Sequence, residues 1–130
     1  MKIIFAYPWK ENNHGCRNNI LTFNKGKVKY MIKHIVMWKI KDFAEGNSKE
    51  QNCNKIKNEL EALKSKIPCI KSIEVGINFS EDKAAYDLVL YSEFEDENAL
   101  NEYQNHEEHL KVAKYIGLVR EDRIIADYRL

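Results

Sequence analysis

An α+β domain, with its elements in the order β-α-β-β-α-β around a four-stranded antiparallel sheet, is the fold class this sequence predicts. Three observations carry it. Residues 32 to 40 alternate in the manner of a strand, with Ile32, His34, Val36, Trp38 and Ile40 on one side and Ile35 and Met37 on the other. Cys53, Ile56, Leu60, Leu63 and Ile67 repeat at the spacing of one buried helical stripe. Two further alternating runs and a second helical stretch then follow before a last strand. A length of 130 residues suits one core of the commonest size. With 44% hydrophobic and 32% charged residues and only 5 Gly and 2 Pro, dominant disorder and collagen-like structure are excluded.

Taken in order, residues 1 to 30 show only the short apolar run Ile3-Ile4-Phe5-Ala6-Tyr7, and Asn12-Asn13-His14-Gly15 with Asn18-Asn19 reads as loop. A weakly ordered extension is expected there. Either Lys2 to Tyr7 adds an accessory strand at a sheet edge, or Met31 is the natural start and the preceding segment is a gene-model artefact. The first strand, from Ile32, is apolar on both sides, so both its faces are expected to be buried. Ser48 and Gln51 are spaced as a capping box opening the first helix, which Pro68 ends. Ile70 to Phe79 and Tyr86 to Phe94 form a hairpin across the turn-rich Ser80-Glu81-Asp82-Lys83. Asp96 caps a second helix through Ala99, Leu100 and Tyr103, and Asn105 interrupts it. A helix resumes over Glu107 to Tyr115, and Val119 to Tyr128 closes the sheet.

This is the split βαβ arrangement of ferredoxin-like domains, whose two helices cover one face of the sheet. The other face would carry Ile35, Met37, Val89 and Tyr91, a patch too apolar for a stable monomer. Two such faces packed together by a two-fold axis give a homodimer.

Charge and cysteine usage narrow the function classes. Residues 1 to 30 hold six basic side chains against Glu11 alone, but the remainder carries 15 basic and 19 acidic residues, which is no footprint for nucleic acid. Cys16, Cys53 and Cys69 are odd in number and lack C-x-x-C spacing, so neither a disulfide framework nor a zinc cage is expected. A cytoplasmic setting fits. Apolar runs are too short for a membrane span, and Pro8-Trp9-Lys10 ends the one that could start an export signal. No P-loop, dinucleotide fingerprint or nucleophile elbow is present, and no cofactor is expected.

Three stretches resemble the stress-responsive A/B barrel (Dabb) domain: Met31 to Asp42, Tyr86 to Phe94, and above all Ala99-Leu-Asn-Glu-Tyr-Gln-Asn-His-Glu-Glu-His-Leu110. The strand-borne His34, the Tyr-Gln-Asn-His run and the terminal Asp127-Tyr128 occur in the family's order over about Ile32 to Leu130. The resemblance implies a dimeric α/β barrel, each protomer keeping a small cavity between helices and sheet. One plant member is a polyketide cyclase using a histidine base and a substrate-holding tyrosine. By motif position these correspond to His109 and Tyr103, with His34 and His106 as further matches. Glu107 stands where the family often has Pro, which leaves the turn aiming His109 less rigid.

His109 and Tyr103 are therefore the candidate catalytic pair: a neutral imidazole removes a proton beside a carbonyl while the phenol donates to the developing oxyanion. His34, Val36, Trp38, His106, Tyr86 and Leu88 are candidate ligand contacts around them. The competing reading makes His34 a satisfied core histidine and Tyr103 part of the Leu100 packing stripe. His106 and His109, three apart, are weak as a metal pair, and no metal is expected. Two functions stay open: a cofactor-independent lyase, cyclase or isomerase of a small carbonyl compound, or a non-catalytic dimer that binds a small hydrophobic ligand or serves in stress tolerance. The first requires a solvent-open pocket with convergent polar tips; the second permits a closed, dry one.

Overall fold

The computed structural model describes residues 30–130; the extension and the Lys2 to Tyr7 strand expected earlier in the chain lie outside the described residues. Strand β1 (Ile32–Ile40) runs at the centre, because its alternate residues Ile32, Val36, Trp38 and Ile40 need a covered face to bury. Next to it lie a short hairpin, β2 (Phe43–Ala44) and β3 (Asn47–Ser48), then helix α1 (Lys49–Ala62) and strand β4 (Ile70–Ile77). Strand β5 (Leu88–Phe94), helices α2 (Glu97–Asn105) and α3 (Glu107–Val119), and strand β6 (Arg120–Arg129) complete the chain. The main sheet has the order β4-β5-β1-β6 with every pairing antiparallel, the ferredoxin-like architecture read from the sequence.

Register fixes what shares a face, since residues directly opposite in an antiparallel pair point the same way. His34 stands between Ser92 and Asp127, Val36 between Leu90 and Ile125, and Trp38 between Leu88 and Arg123. These rows face the helices. α1 and α2 pack over β4, β5 and β1, whereas every residue of β6 is exposed. The helix-side face of β6 therefore extends past the helical layer as an exposed edge beside the buried His34.

On the opposite sheet face, Ile35 lies beside Tyr91 and Ala126, and Met37 beside Val89 and Ile124. Among the described residues no element packs over these side chains: Met37 is 36% and Ile124 45% exposed. Within the described part of one chain β1 is buried on its helix side, and the other face is the one expected to meet a second copy.

Several boundaries differ from the sequence reading, each for a local reason. The capping box at Ser48 and Gln51 forms as expected, but α1 ends at Ala62 and tightens into a 3₁₀ turn, Leu63–Ser65. That turn keeps Leu63 and Ile67 buried through an Ile67 N–H bond to the Leu63 carbonyl, so the apolar stripe outlasts the helix. The β2–β3 hairpin was not foreseen; Glu45 and Gly46 turn at φ 52° and 76°, the two positive values a type I′ turn requires. β4 ends at Ile77, leaving Phe79 exposed, and β5 begins at Leu88 rather than Tyr86. α3 continues to Val119, four residues past Tyr115, because Val112, Ile116 and Val119 keep one buried stripe going.

Candidate functional site

Local sequence builds the site from three elements. β1 delivers His34 to the helix side of the sheet, where it is 2% exposed. α2 delivers Tyr103, 0% exposed, on the stripe begun by Ala99 and Leu100 and capped by Asp96, whose side chain accepts from the Ala99 N–H. The chain then breaks at His106 and restarts as α3, placing the half-buried His109 on its first turn. The Tyr103 ring centroid lies 4.4 Å from that of His109, 4.9 Å from Phe94 and 6.1 Å from His34. Two imidazoles and a phenol thus share one buried cluster.

Their hydrogen bonds set their chemistry. His34 Nδ1 lies 2.5 Å from Asp127 Oδ1, and His109 Nδ1 lies 3.1 Å from the Gln104 carbonyl oxygen. Carboxylate and carbonyl oxygens accept, so both rings carry a proton on Nδ1, and in the neutral form of His109 this leaves its Nε2 as a lone pair. Burial holds the His109 imidazole below its ordinary 6.5; the Gln104 bond opposes this, and the charges of His34, Arg123 and His106 add to it. His109 is accordingly a neutral base at neutral pH. The Tyr103 hydroxyl is buried and has no hydrogen-bond partner among the described residues, and burial pushes its pKa up, so it stays protonated. One unused donor and the lone pair of the neutral His109 ring thus belong to the same buried cluster. That set matches a ligand presenting an acceptor oxygen together with an acidic C–H or O–H.

The other residues singled out from the sequence divide. Val36 is the next helix-side residue along β1 from His34, close enough to wall the cluster. Trp38 and Leu88, partners across β1 and β5, are buried in the core four residues from His34, a strand distance of about 13 Å. Tyr86 is not brought to the cluster: its hydroxyl donates to Asp122 at 2.6 Å and Lys39 sits over its ring, both on the opposite face of the sheet. His106 is the cap of α3, its Nδ1 accepting from the Glu108 N–H at 3.1 Å. That cap, with the bond from His109 to Gln104, supplies the stiffness that Glu107 in place of Pro was expected to forfeit. Among the described residues no three His, Cys, Asp or Glu side chains gather to hold a metal.

Sequence reasoning missed Asp127 as a site residue. Its signal was present, because an acidic residue alternating with Ile125 on a strand paired to β1 falls beside His34 only in one register.

A ferredoxin-like α+β domain holding a histidine and tyrosine cluster beneath its sheet is the class these observations define. More narrowly, the chain belongs to the stress responsive A/B barrel domain family, whose description matches residues 32–130. A dimeric ferredoxin-like protein of unknown function from Bacteroides fragilis is 34% identical, with a TM-score of 0.67 over 77% of this chain and 96% of that one. A second dimeric ferredoxin-like protein, from Thermobifida fusca, is 22% identical at TM-score 0.68, covering 78% and 92%. The hydroxynitrile lyase of Passiflora edulis shares the fold at 20% identity and TM-score 0.67, covering 79% and 95%. No curated protein matches the sequence. Among the described residues no helix is long and apolar enough to cross a membrane.

Proposed function

We propose that this protein is a cofactor-independent acid–base enzyme acting on a small carbonyl compound or its cyanohydrin-like adduct. The single observation that carries the reading is the buried Tyr103 hydroxyl, left without a partner among the described residues, 4.4 Å in ring-centroid distance from the His109 imidazole. A buried unsatisfied donor costs about 1–3 kcal/mol, so a fold that retains one gains from it elsewhere. Tyr103 donates to the carbonyl oxygen as charge develops there. His109, neutral through burial, takes the proton from carbon or hydroxyl, and His34, oriented by Asp127, stands on the other side of Tyr103 to contact the bound compound. A hydroxynitrile lyase among the structural neighbours supports the choice of reaction class, since releasing a carbonyl from its cyanohydrin needs a base that takes the hydroxyl proton as the C–CN bond breaks and then returns that proton to the departing cyanide, both of which one imidazole can do.

The protein works as a homodimer, paired through the open sheet face of Ile35, Met37, Val89 and Ile124, as its dimeric relatives suggest. Burying about 600 Å² of apolar area per chain there is worth on the order of 15 kcal/mol before association costs. It acts in a reducing, cytoplasmic compartment, where Cys53 and Cys69 remain free thiols.

One observation favours a second reading, a non-catalytic binder: Tyr103 and His34 are shut almost wholly from solvent, as a dry ligand cavity permits. Turnover separates the two. Wild-type protein and its His109→Asn and Tyr103→Phe variants are assayed for mandelonitrile cleavage and for deuterium exchange at carbons next to a carbonyl in a panel of small ketones. Catalysis in the wild type that falls at least a hundredfold in both variants supports the enzyme. Ligand binding that survives His109→Asn, with no turnover in any form, supports the binder.

A further inference from the structure

β6 carries a feature that the acid–base cluster does not use. Its helix-side residues are Arg123, Ile125, Asp127 and Arg129, placed there by pairing with Trp38, Val36, His34 and Ile32. Because the helices lie over the other three strands, this row forms the exposed edge next to His34. Two of its three ionised side chains are engaged: Asp127 on His34, and Arg129 on Glu97 at 2.5 Å. Ile125, 45% exposed, leaves an apolar step between them and Arg123.

The Arg123 guanidinium has no ion pair with any described residue, and the neighbouring Asp122 is turned to the opposite face, where it binds Tyr86. Its charge nonetheless reaches His109, which it helps to keep neutral. Arg123 and Asp127 are four residues apart on one face, a strand separation of about 13 Å, of which an extended Arg side chain can span about half. Deeper on the same side lies the fully buried Tyr103 hydroxyl, without a partner among the described residues. An exposed cation and a buried neutral donor, with Val36 and Ile125 on the strands between them, are two unlike groups on one side of the sheet.

From this geometry we infer that the site selects carbonyl compounds bearing a carboxylate, with Arg123 pairing the carboxylate at the exposed β6 edge while Tyr103 takes the carbonyl oxygen. The inference rests on the acid–base reading of the cluster and adds the class of substrate to it. A guanidinium suits the task, since its planar fork meets a carboxylate with two parallel hydrogen bonds and stays charged at any working pH. Arg123 is a specificity residue here, not part of the proton transfer. An exposed position on an outer strand lets it be replaced without disturbing the core.

The test compares 4-formylbenzoate with its neutral methyl ester as binding probes, titrated by calorimetry or by ring-proton shifts against the wild type, Arg123→Gln and Tyr103→Phe. The wild type should bind the acid at least tenfold more tightly than the ester. Arg123→Gln should erase that preference while leaving ester affinity and thermal midpoint unchanged, and Tyr103→Phe should weaken both probes alike. If Tyr103→Phe weakens both probes but Arg123→Gln leaves the preference as it was, or the wild type shows none, the role of Arg123 is overturned and the acid–base cluster stands. If neither probe binds saturably, or binding ignores Tyr103→Phe, the cluster reading falls and takes the inference with it.

Discussion

His34 and Asp127 are register partners on β1 and β6, and their side chains meet at 2.5 Å, Nδ1 to Oδ1. The pairing joins an inner strand of the sheet to its exposed edge, and it holds a proton on Nδ1 of a buried imidazole. Replacing Asp127 by Asn offers His34 a donor as well as an acceptor, so the ring proton can pass to Nε2. Asp127→Asn should keep the fold, lower turnover at least tenfold, and shift the His34 Nε2 nitrogen resonance toward the protonated position. An unchanged Nε2 shift contradicts the orienting role.

The depressed affinity of His109 for protons has a sign in the stability curve. Its folded pKa lies below the ordinary 6.5 through burial, so the unfolded chain binds the proton more readily in the interval between the two values. This contribution is complete above about pH 6.5 and is lost as pH falls from there toward the folded pKa. Ring-carbon NMR titration should place the His109 midpoint below 6.5, and His109→Gln should flatten the slope of urea stability against pH over that window. A midpoint at or above 6.5 contradicts it.

Away from the site, Glu61 on α1 accepts from the Val75 N–H at 3.0 Å and from Lys57 at 2.9 Å, while Lys57 donates to the Val75 carbonyl at 2.7 Å. This clasp ties α1 to the outer strand β4. The Val75 bond, then Lys57, holds the Glu61 carboxyl below its usual range, so its contribution is present at neutral pH and lost as pH falls through that lowered value. Glu61→Ala should cost about 1 kcal/mol in urea unfolding at pH 7 and less at pH 3. Equal losses at both pH values would count against the clasp.

Burial pushes the Cys53 thiol up to about 11 and the Cys69 thiol up to about 12. Thiolate is the reactive form, so neither should be alkylated at pH 7.5 in native protein within minutes, and both should be modified once urea unfolds the chain. Peptide mapping after iodoacetamide treatment checks each position separately.

Much of the architecture was legible because its causes are local. Alternation at Ile32 to Ile40, the Ser48 and Gln51 box, and the Asp96 cap each specify an element over a few residues, and each formed where expected. Less legible were features set by distant partners. The stop of α1 at Ala62 and the run of α3 to Val119 depend on which stripe finds the sheet. Tyr86 reads as a pocket wall by its neighbours in sequence, yet Asp122, thirty-six residues on, draws it to the other face. The site shows the same division. Tyr103 and His109 follow from one motif, but the roles of Asp127 and Arg123 appear only when β6 is set in register against β1.

The central claim is that the Tyr103 hydroxyl is kept for a ligand and does nothing for the fold, and equilibrium unfolding of ligand-free wild type and Tyr103→Phe addresses it most directly. Deleting a buried donor that has no partner should leave the protein as stable or more stable, by up to about 1 kcal/mol, in the same preparation that loses carbonyl binding. A loss of more than about 1 kcal/mol would show the hydroxyl to be a structural hydrogen bond and contradict the account.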